Sequence, residues 1–246
     1  MTELEKQLAG REFVKLGPGT GVSVKPKDAA TLILIDRSDK TPRVLMGKRH
    51  HSHKFMPGKY VFPGGRLDAA DRAIKPLDDL PLDCARRLGQ HVAKWSESRG
   101  RALALASIRE TAEETGLLIG KKDANVTSRA EAWSPFVNQG IRPTLSALTF
   151  VARAITPPKN PKRFDTRFFL ADRQSIGAEI SGIVTADTEL VSLDWLTFDE
   201  AQEVKLPNIT KVVLKDIAER LKIGQIARPA PFYFYKSGGF HRKLLD

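Results

Sequence analysis

Hydrophobic positions along the chain fall into two kinds of pattern. Ala29 to Ile35 is an unbroken apolar run rich in leucine and β-branched residues, and Val44 to Arg49 follows it after the polar turn from Arg37 to Pro42. Both read as buried strands lying side by side. Between Asp71 and about Gly100, Leu82, Ala85, Leu88, Val92 and Trp95 recur three or four apart, which predicts one amphipathic helix. A second helix is predicted from about Arg101 to Thr115, stopped by Gly116. Strand patterns return at Leu145 to Ala154, Arg167 to Ala171 and Glu189 to Leu196. The last of these leads into a helix start at Asp199-Glu200-Ala201, a final helix is expected near Ile209 to Leu221, and the tail from Pro229 to Asp246 reads as loop with an aromatic patch.

Strands and helices mix without regular βαβ alternation, which predicts an α+β fold, an α/β/α sandwich, rather than a doubly wound sheet. Residues 1–27, polar and glycine-punctuated, read as an N-terminal extension, and 28–246 as one domain with a helical insert at about 72–100. Pro157-Pro158-Lys159-Asn160-Pro161 resembles a linker but is too short to mark a domain boundary.

Charge narrows the choice of partner. The formal net charge of +11 favours an anionic ligand such as a phosphorylated metabolite, nucleic acid or an acidic membrane. No stretch approaches the roughly 20 apolar residues of a membrane span, and the first residues lack the apolar core of a signal peptide. Cys84 is the only cysteine, so an intramolecular disulfide and a C-x-x-C zinc site are both excluded. Cytoplasmic residence is the default expectation, with Cys84 packed in a helix. Nothing in the chain matches a common RNA-binding module.

The chemistry concentrates in Arg109-Glu110-Thr111-Ala112-Glu113-Glu114-Thr115-Gly116-Leu117. On a helix, Glu110, Glu113 and Glu114 fall within a sector of roughly 100°, opposite Leu105, Ile108 and Ala112. Three carboxylates on one face repel one another unless cations sit among them, and oxygen ligands of this kind suit magnesium or manganese. A solvated acidic face is the competing reading of the same pattern. Arg109, beside Glu110 and four residues before Glu113, is placed to hold a carboxylate in fixed orientation.

This stretch resembles the second half of the Nudix box of the Nudix hydrolases, and Gly65, five residues, then Asp71 resembles the first half. Three departures accompany the resemblance. Asp71 stands for the usual glutamate, Thr111 for an apolar residue, and 37 residues rather than seven separate Asp71 from Arg109. Loop-closure entropy grows slowly with length, so such an insertion is physically tolerable. A branch of the family similar to peroxisomal coenzyme A diphosphatases carries an insert at this place. It also shares a segment like Phe55-Met56-Pro57-Gly58 to Phe62-Pro63-Gly64-Gly65 ahead of Leu67-Asp68-Ala69-Ala70-Asp71.

The resemblance implies a mixed sheet between helices and metal-assisted hydrolysis of a nucleoside diphosphate linked to another moiety. Coenzyme A or acyl-coenzyme A is the first expected substrate, giving 4'-phosphopantetheine or its acyl form and 3',5'-ADP. ADP-ribose or a dinucleotide of the NADH type is the alternative, and a non-catalytic nucleotide-binding module the second. Glu110, Glu113, Glu114 and the Gly64 carbonyl would hold Mg2+ or Mn2+, with Arg109 orienting the acids. Arg49, Lys54, Phe55, Lys59 and Tyr60 are candidates for the substrate side, and Asp187 or Glu189 for an additional ligand or base. His50-His51-Ser52-His53 is set aside as a metal site because the family's ligands are oxygens, and Trp195 is expected in the core. The insert is expected to pack on the catalytic domain or across a homodimer interface.

Overall fold

A computed structural model of the chain describes residues 24–52, 57–158 and 160–246. A nine-stranded mixed sheet organises them. Its centre is β1 (Lys27–Asp36), parallel to β9 (Phe164–Asp172) and in register from Lys27↔Phe164 to Ile35↔Asp172. β2 (Arg43–Arg49) meets β1 only at Ile35↔Val44 and Asp36↔Arg43, and then the two strands diverge. Into the gap come β3 (Tyr60–Val61), bonded to β2, and β4 (Gly64–Arg66), bonded to β1. β11 (Leu190–Thr197) covers the outer edge of β2, while β8 (Thr149–Ile155), β12 (Ala230–Lys236) and β13 (Gly239–Leu245) extend the sheet beyond β9.

The predicted apolar runs explain the layering. Along β1, Leu32 and Leu34 enter a core with Leu105 and Ile108, whereas Ile33 and Ile35 enter a second core with Val213, Leu214 and Ile217. A strand buried on both faces needs no polar alternation, which is why 29–35 reads as a continuous apolar run. The first core lies under helix α2 (Glu97–Thr115), and the second under α5 (Asn208–Lys222) and the short α4 (Phe198–Glu203). The result is the α/β/α sandwich expected from the sequence. Among the described residues no helix is long and apolar enough to cross a membrane.

Three expectations are corrected. The insert is not one helix: α1 is only Leu82–Gly89, after which Gln90 is extended and His91 and Lys94 take left-handed φ values of 55° and 54°. Trp95 supplies a reason for the fold-back. A Cβ added at Gly89 would lie 2.8 Å from its ring and one at Gly100 2.9 Å, so the indole wedges between two helices that glycine alone lets approach. Ile74, Leu80, Cys84 and Leu88 join the first core, but Leu82, counted in the apolar stripe, is 90% exposed.

The second helix begins earlier than predicted. Ser96 caps it by accepting the Arg99 N–H at 3.2 Å, and it ends as expected at Gly116, whose φ of 78° is left-handed.

The tail forms the β12–β13 hairpin rather than loop. Phe232, Tyr233 and Phe234 suit a pleated surface, and Ser237 and Gly238 turn the chain with φ of 50° and 82°. Elsewhere the boundaries move little, although Leu145 to Leu148 precedes β8 as a turn held by the Asp78 carboxylate, which accepts the Leu145 and Ser146 N–H groups. The 157–161 segment is the connection between β8 and β9, with α3 (Ser134–Asn138), β5 (Leu117–Ile119), β6 (Lys121–Lys122), β7 (Ile141–Arg142) and β10 (Ile176–Glu179) as peripheral pieces.

Candidate functional site

Helix α2 packs against β4 and against the 3-10 turn at Ala69–Arg72. Gly65 makes that approach feasible, and Gly64 lets β4 lie close against β1. A Cβ at Gly65 would lie 2.4 Å from the Glu110 carboxylate, and one at Gly64 would lie 2.6 Å from the Ala30 carbonyl. The Gly64 N–H donates to Glu114 Oε2 at 3.2 Å, so the β4 backbone and the acidic helix meet through a direct bond.

Arg109 holds the centre with its side chain almost fully buried. Its Nε donates to Asp71 Oδ1 at 2.7 Å, Nη1 to Glu113 Oε2 at 3.0 Å and Nη2 to the Arg66 carbonyl at 3.0 Å. Nη2 also lies 3.0 Å from Glu110 Oε1. Burial alone would lower the arginine pKa, but the Asp71 bond and the surrounding carboxylates raise it, so the guanidinium stays charged. Asp71 is wholly buried and also accepts the Asp68 N–H at 2.7 Å. A buried carboxylate without a cation would be strongly destabilising, and Arg109 supplies that cation.

The other acids are less settled. Burial raises the Glu110 pKa, and proximity to Glu113 adds to the rise against the opposing pull of Arg109. Burial also pushes the Glu114 carboxyl up to about 8, helped by the charges of Glu189 and Glu110. Glu189 enters the site at the mouth of β11 and bonds Arg49 Nη1 at 2.6 Å. Arg49 Nε is buried and, among the described residues, has no hydrogen-bond partner. Ionised Glu110 and Glu114 therefore call for positive charge, and a buried donor on Arg49 calls for an acceptor.

These donors fit a hard divalent cation in kind: all are oxygens, and their mutual repulsion is what a cation relieves. Among the described residues, however, no three His, Cys, Asp or Glu side chains are already gathered on one point. Glu110 and Glu113 each place an oxygen against Arg109, and Glu114 accepts from Gly64, so binding a cation would require these carboxylates to turn.

The deciding comparison joins sequence to fold. A crystal structure of a NUDIX hydrolase from Alicyclobacillus acidocaldarius superposes with a TM-score of 0.58 at 28% identity, covering 83% of this chain and 98% of that one. The fold is that of the Nudix hydrolases. A curated relative from Caenorhabditis elegans, named provisionally as nudix hydrolase 7, is 30% identical over 155 residues, 58% of this chain. The match covers 43% of the relative, so this chain spans less than half the length of that protein. No family model matches the chain.

Within the Nudix fold the two halves of the box meet although 37 residues separate them, because Asp71 from the first half bonds Arg109 from the second. The sequence reading had both residues but did not pair them; an acid closing a short turn beside an apolar stretch was the available signal. It also missed the Arg66 carbonyl and the Arg49–Glu189 pair, each of which depends on strand divergence that no local pattern reports.

Of the remaining candidates, Asp187 is exposed in the turn from Thr185 to Thr188 and is not brought to the acids. Tyr60 is corrected: it packs against the second core and its hydroxyl donates to Asp194 Oδ2 at 3.0 Å, on the sheet face opposite α2. Lys59 is half-buried, and its carbonyl accepts the Arg49 N–H. Lys54, Phe55 and His53 lie outside the described residues. Trp195, expected in the core, is half-buried and packs against the first core, with the Arg173 guanidinium 5.2 Å from its ring. Cys84 is buried, which pushes its thiol up to about 12 and leaves it no role as a nucleophile.

Proposed function

We propose that this chain is a divalent-cation-dependent hydrolase of a nucleoside diphosphate linked to another moiety, with coenzyme A or acyl-coenzyme A as its preferred substrate. The observation that carries the reading is the junction of Asp71, Arg109, Glu110 and Glu114 over the Gly64–Gly65 strand. A solvated acidic face would not bury an arginine to orient its acids, nor press two of them against glycine backbone.

Glu110, Glu114 and the Gly64 carbonyl would hold Mg2+ or Mn2+, with Glu113 as a further ligand. Bound there, the cation lowers the pKa of a coordinated water and neutralises phosphate oxygens. Arg109 fixes the direction of Glu110 and Glu113 and is itself fixed by Asp71. Arg49, with its unpaired Nε, takes a diphosphate oxygen, and Glu189 holds Arg49 in place or accepts the proton of the attacking water. The preference for coenzyme A rests on the insert within the box and on the Phe55 to Asp71 segment, and the net positive charge agrees with a substrate carrying an additional phosphate.

The test is a hydrolysis screen with Mg2+ and with Mn2+ against coenzyme A, acyl-coenzyme A, ADP-ribose, NADH and dinucleoside polyphosphates, with products identified by mass. Phosphopantetheine and 3',5'-ADP as the fastest-formed products are expected. Preference for ADP-ribose or NADH would overturn the substrate choice, and nucleotide binding without turnover would overturn catalysis.

A further inference from the structure

Beside the acidic junction, at the start of β1 and the exit of β4, lies a cleft of about 600 Å3 that opens on Glu110. That volume suits one arm of a small-molecule substrate. Arg66 stands opposite Ala29 on β1, and strand alternation puts Lys27, Ala29 and Arg66 on the sheet face of Ile33 and Ile35. The side chains left to face the cleft are Asp28, Leu67, Asp68, Arg109 and Glu110. A substrate whose diphosphate sits at the acids would extend one of its two arms between them.

The donors of this lining are committed. Arg109 spends Nε on Asp71, Nη1 on Glu113 and Nη2 on the Arg66 carbonyl. The Lys27 N–H donates to the Arg163 carbonyl, the Leu67 N–H to the Asp28 carbonyl and the Asp68 N–H to Asp71. What the cleft offers is carboxylate oxygen, with Leu67 as an apolar wall. A phosphate monoester, anionic and short of donors, is repelled there, whereas a hydroxyl or an amide N–H finds an acceptor.

Asp28 is the acceptor most firmly aimed. Arg99, in the first turn of α2, donates Nε to its Oδ2 at 2.8 Å and brings Nη2 within 2.6 Å, while Arg167 Nη1 donates to Oδ1 at 2.9 Å. A carboxylate has about four acceptor positions, so one remains. Arg167 is wholly buried, and its Nε and Nη2 have no partner among the described residues, so Asp28 and Asp165 are what offset its charge. Leaving a buried charge unpaired is costly, which pins Asp28 in this orientation while its side chain stays 16% exposed. Asp165 is held in turn by Arg153, whose Nη1 donates to the Gln90 carbonyl of the insert. The insert thus reaches the cleft through Arg153, Asp165 and Arg167.

We infer that Asp28 is a specificity-determining residue that accepts a hydrogen bond from a hydroxyl or amide N–H on the uncharged arm of the substrate, and that the cleft takes this arm rather than one bearing a phosphate monoester. The inference rests on the hydrolase reading above. For coenzyme A the arm so placed is pantetheine, which carries a hydroxyl and amide N–H groups, with geminal methyls to lie on Leu67.

Calorimetric titration of the full chain with 4'-phosphopantetheine and with adenosine 3',5'-bisphosphate tests it, alongside Mg2+-dependent turnover of coenzyme A. In D28N the one amide oxygen is claimed by Arg99 and Arg167, so the NH2 group turns to the cleft and meets a donor with a donor. The variant should bind 4'-phosphopantetheine about tenfold more weakly than wild type, the scale of one hydrogen bond to a charged group, and the bisphosphate within about twofold. If D28N does not fold, D28E keeps the charge for both arginines but displaces it, and should still lose affinity for 4'-phosphopantetheine alone. Unchanged 4'-phosphopantetheine binding, an equal loss for both ligands or a loss confined to the bisphosphate overturns the inference, as does a wild type that turns over coenzyme A without binding 4'-phosphopantetheine. In each of these cases turnover of coenzyme A leaves the hydrolase reading standing. Absence of both binding and turnover overturns the reading and the inference together.

Discussion

Two buried arginines of this fold sit in opposite surroundings. Arg220 on α5 is fully buried, and each of its donor groups is satisfied: Nε by Asp216 at 2.6 Å, Nη1 by the Ile226 and Arg228 carbonyls, and Nη2 by those of Val151 and Pro229. Arg228 shares Asp216, so a single acid lies between two cations and the remaining bonds go to backbone. Arg109 instead stands among Asp71, Glu110 and Glu113, with Glu114 and Glu189 beyond them. The first network is closed and pins the start of β12 to α5. The second has surplus negative charge held in place by the fold, which is the condition for recruiting cations. Burial of an ion pair alone therefore does not mark a functional site; its unmet charge does.

The sharpest way to break the comparison is to remove that surplus. Glu114→Gln should lower turnover roughly 10²–10³-fold, the loss of a few kcal/mol of transition-state stabilisation, while the melting temperature holds or rises because repulsion is relieved. Glu113, more exposed and tied to Arg109, should show a smaller loss as glutamine. Activity in Glu114→Gln within fivefold of wild type at saturating Mg2+ would remove the site's assigned chemistry.

Arg220→Ala should do the reverse. It leaves Asp216 with one partner and takes a donor from each of four carbonyls, of which that of Arg228 keeps Arg87, at a cost of roughly 3–5 kcal/mol of stability. Urea unfolding measures this, and turnover per folded molecule should stay near wild type at low temperature. A large loss of kcat in a folded Arg220→Ala protein would mean that the closed network also serves the site.

What was legible in the sequence follows the same division. The acidic stripe of 109–117, the glycine stop and the continuous strand at 29–35 are local patterns, and each appears where it was expected. The insert was misread because helical spacing persisted through Gln90 to Trp95, while the decision lay in an indole seated against Gly89 and Gly100 from different helices. Tyr60 was misplaced for a related reason: two residues of β3 carry too little alternation to say which face they show, and only the pairing Lys48↔Tyr60 settles it. Asp71 and Glu189 needed tertiary proximity, one across 37 inserted residues and the other across the β11–β2 pairing.

A gentler probe of the surplus charge is pH. Glu114 is raised to about 8 in the fold, against 4.5 for the unconstrained carboxyl. Between those values the folded protein holds a proton that the unfolded chain has released, so stability of the cation-free protein should fall as pH rises from about 5 to 8. The slope is at most about 1.4 kcal/mol per pH unit, and Mg2+ should reduce it. Melting curves in EDTA for wild type and Glu114→Gln isolate the contribution, since the variant should lack that part of the decline. Parallel profiles for the two proteins would show that the carboxyl is not held in this strained state.

The smallest effect is expected at Tyr60, where the two faces of the sheet can be told apart. Tyr60 packs on the second core, and Asp194, which accepts its hydroxyl, also accepts Ser192 Oγ at 3.0 Å. Burial, together with the neighbouring Asp194 carboxylate, raises the phenol pKa, so the hydroxyl keeps its proton and serves as a donor throughout the working range. Tyr60→Phe removes one hydrogen bond to a carboxylate that retains another donor, and should cost roughly 0.5–1.5 kcal/mol in unfolding free energy. Because the ring points away from Glu114, KM and kcat for coenzyme A should each change less than about twofold, a barrier change of under about 0.5 kcal/mol. A KM raised fivefold or more with stability unchanged would return Tyr60 to the substrate side and place the substrate across β3, which the strand register argues against.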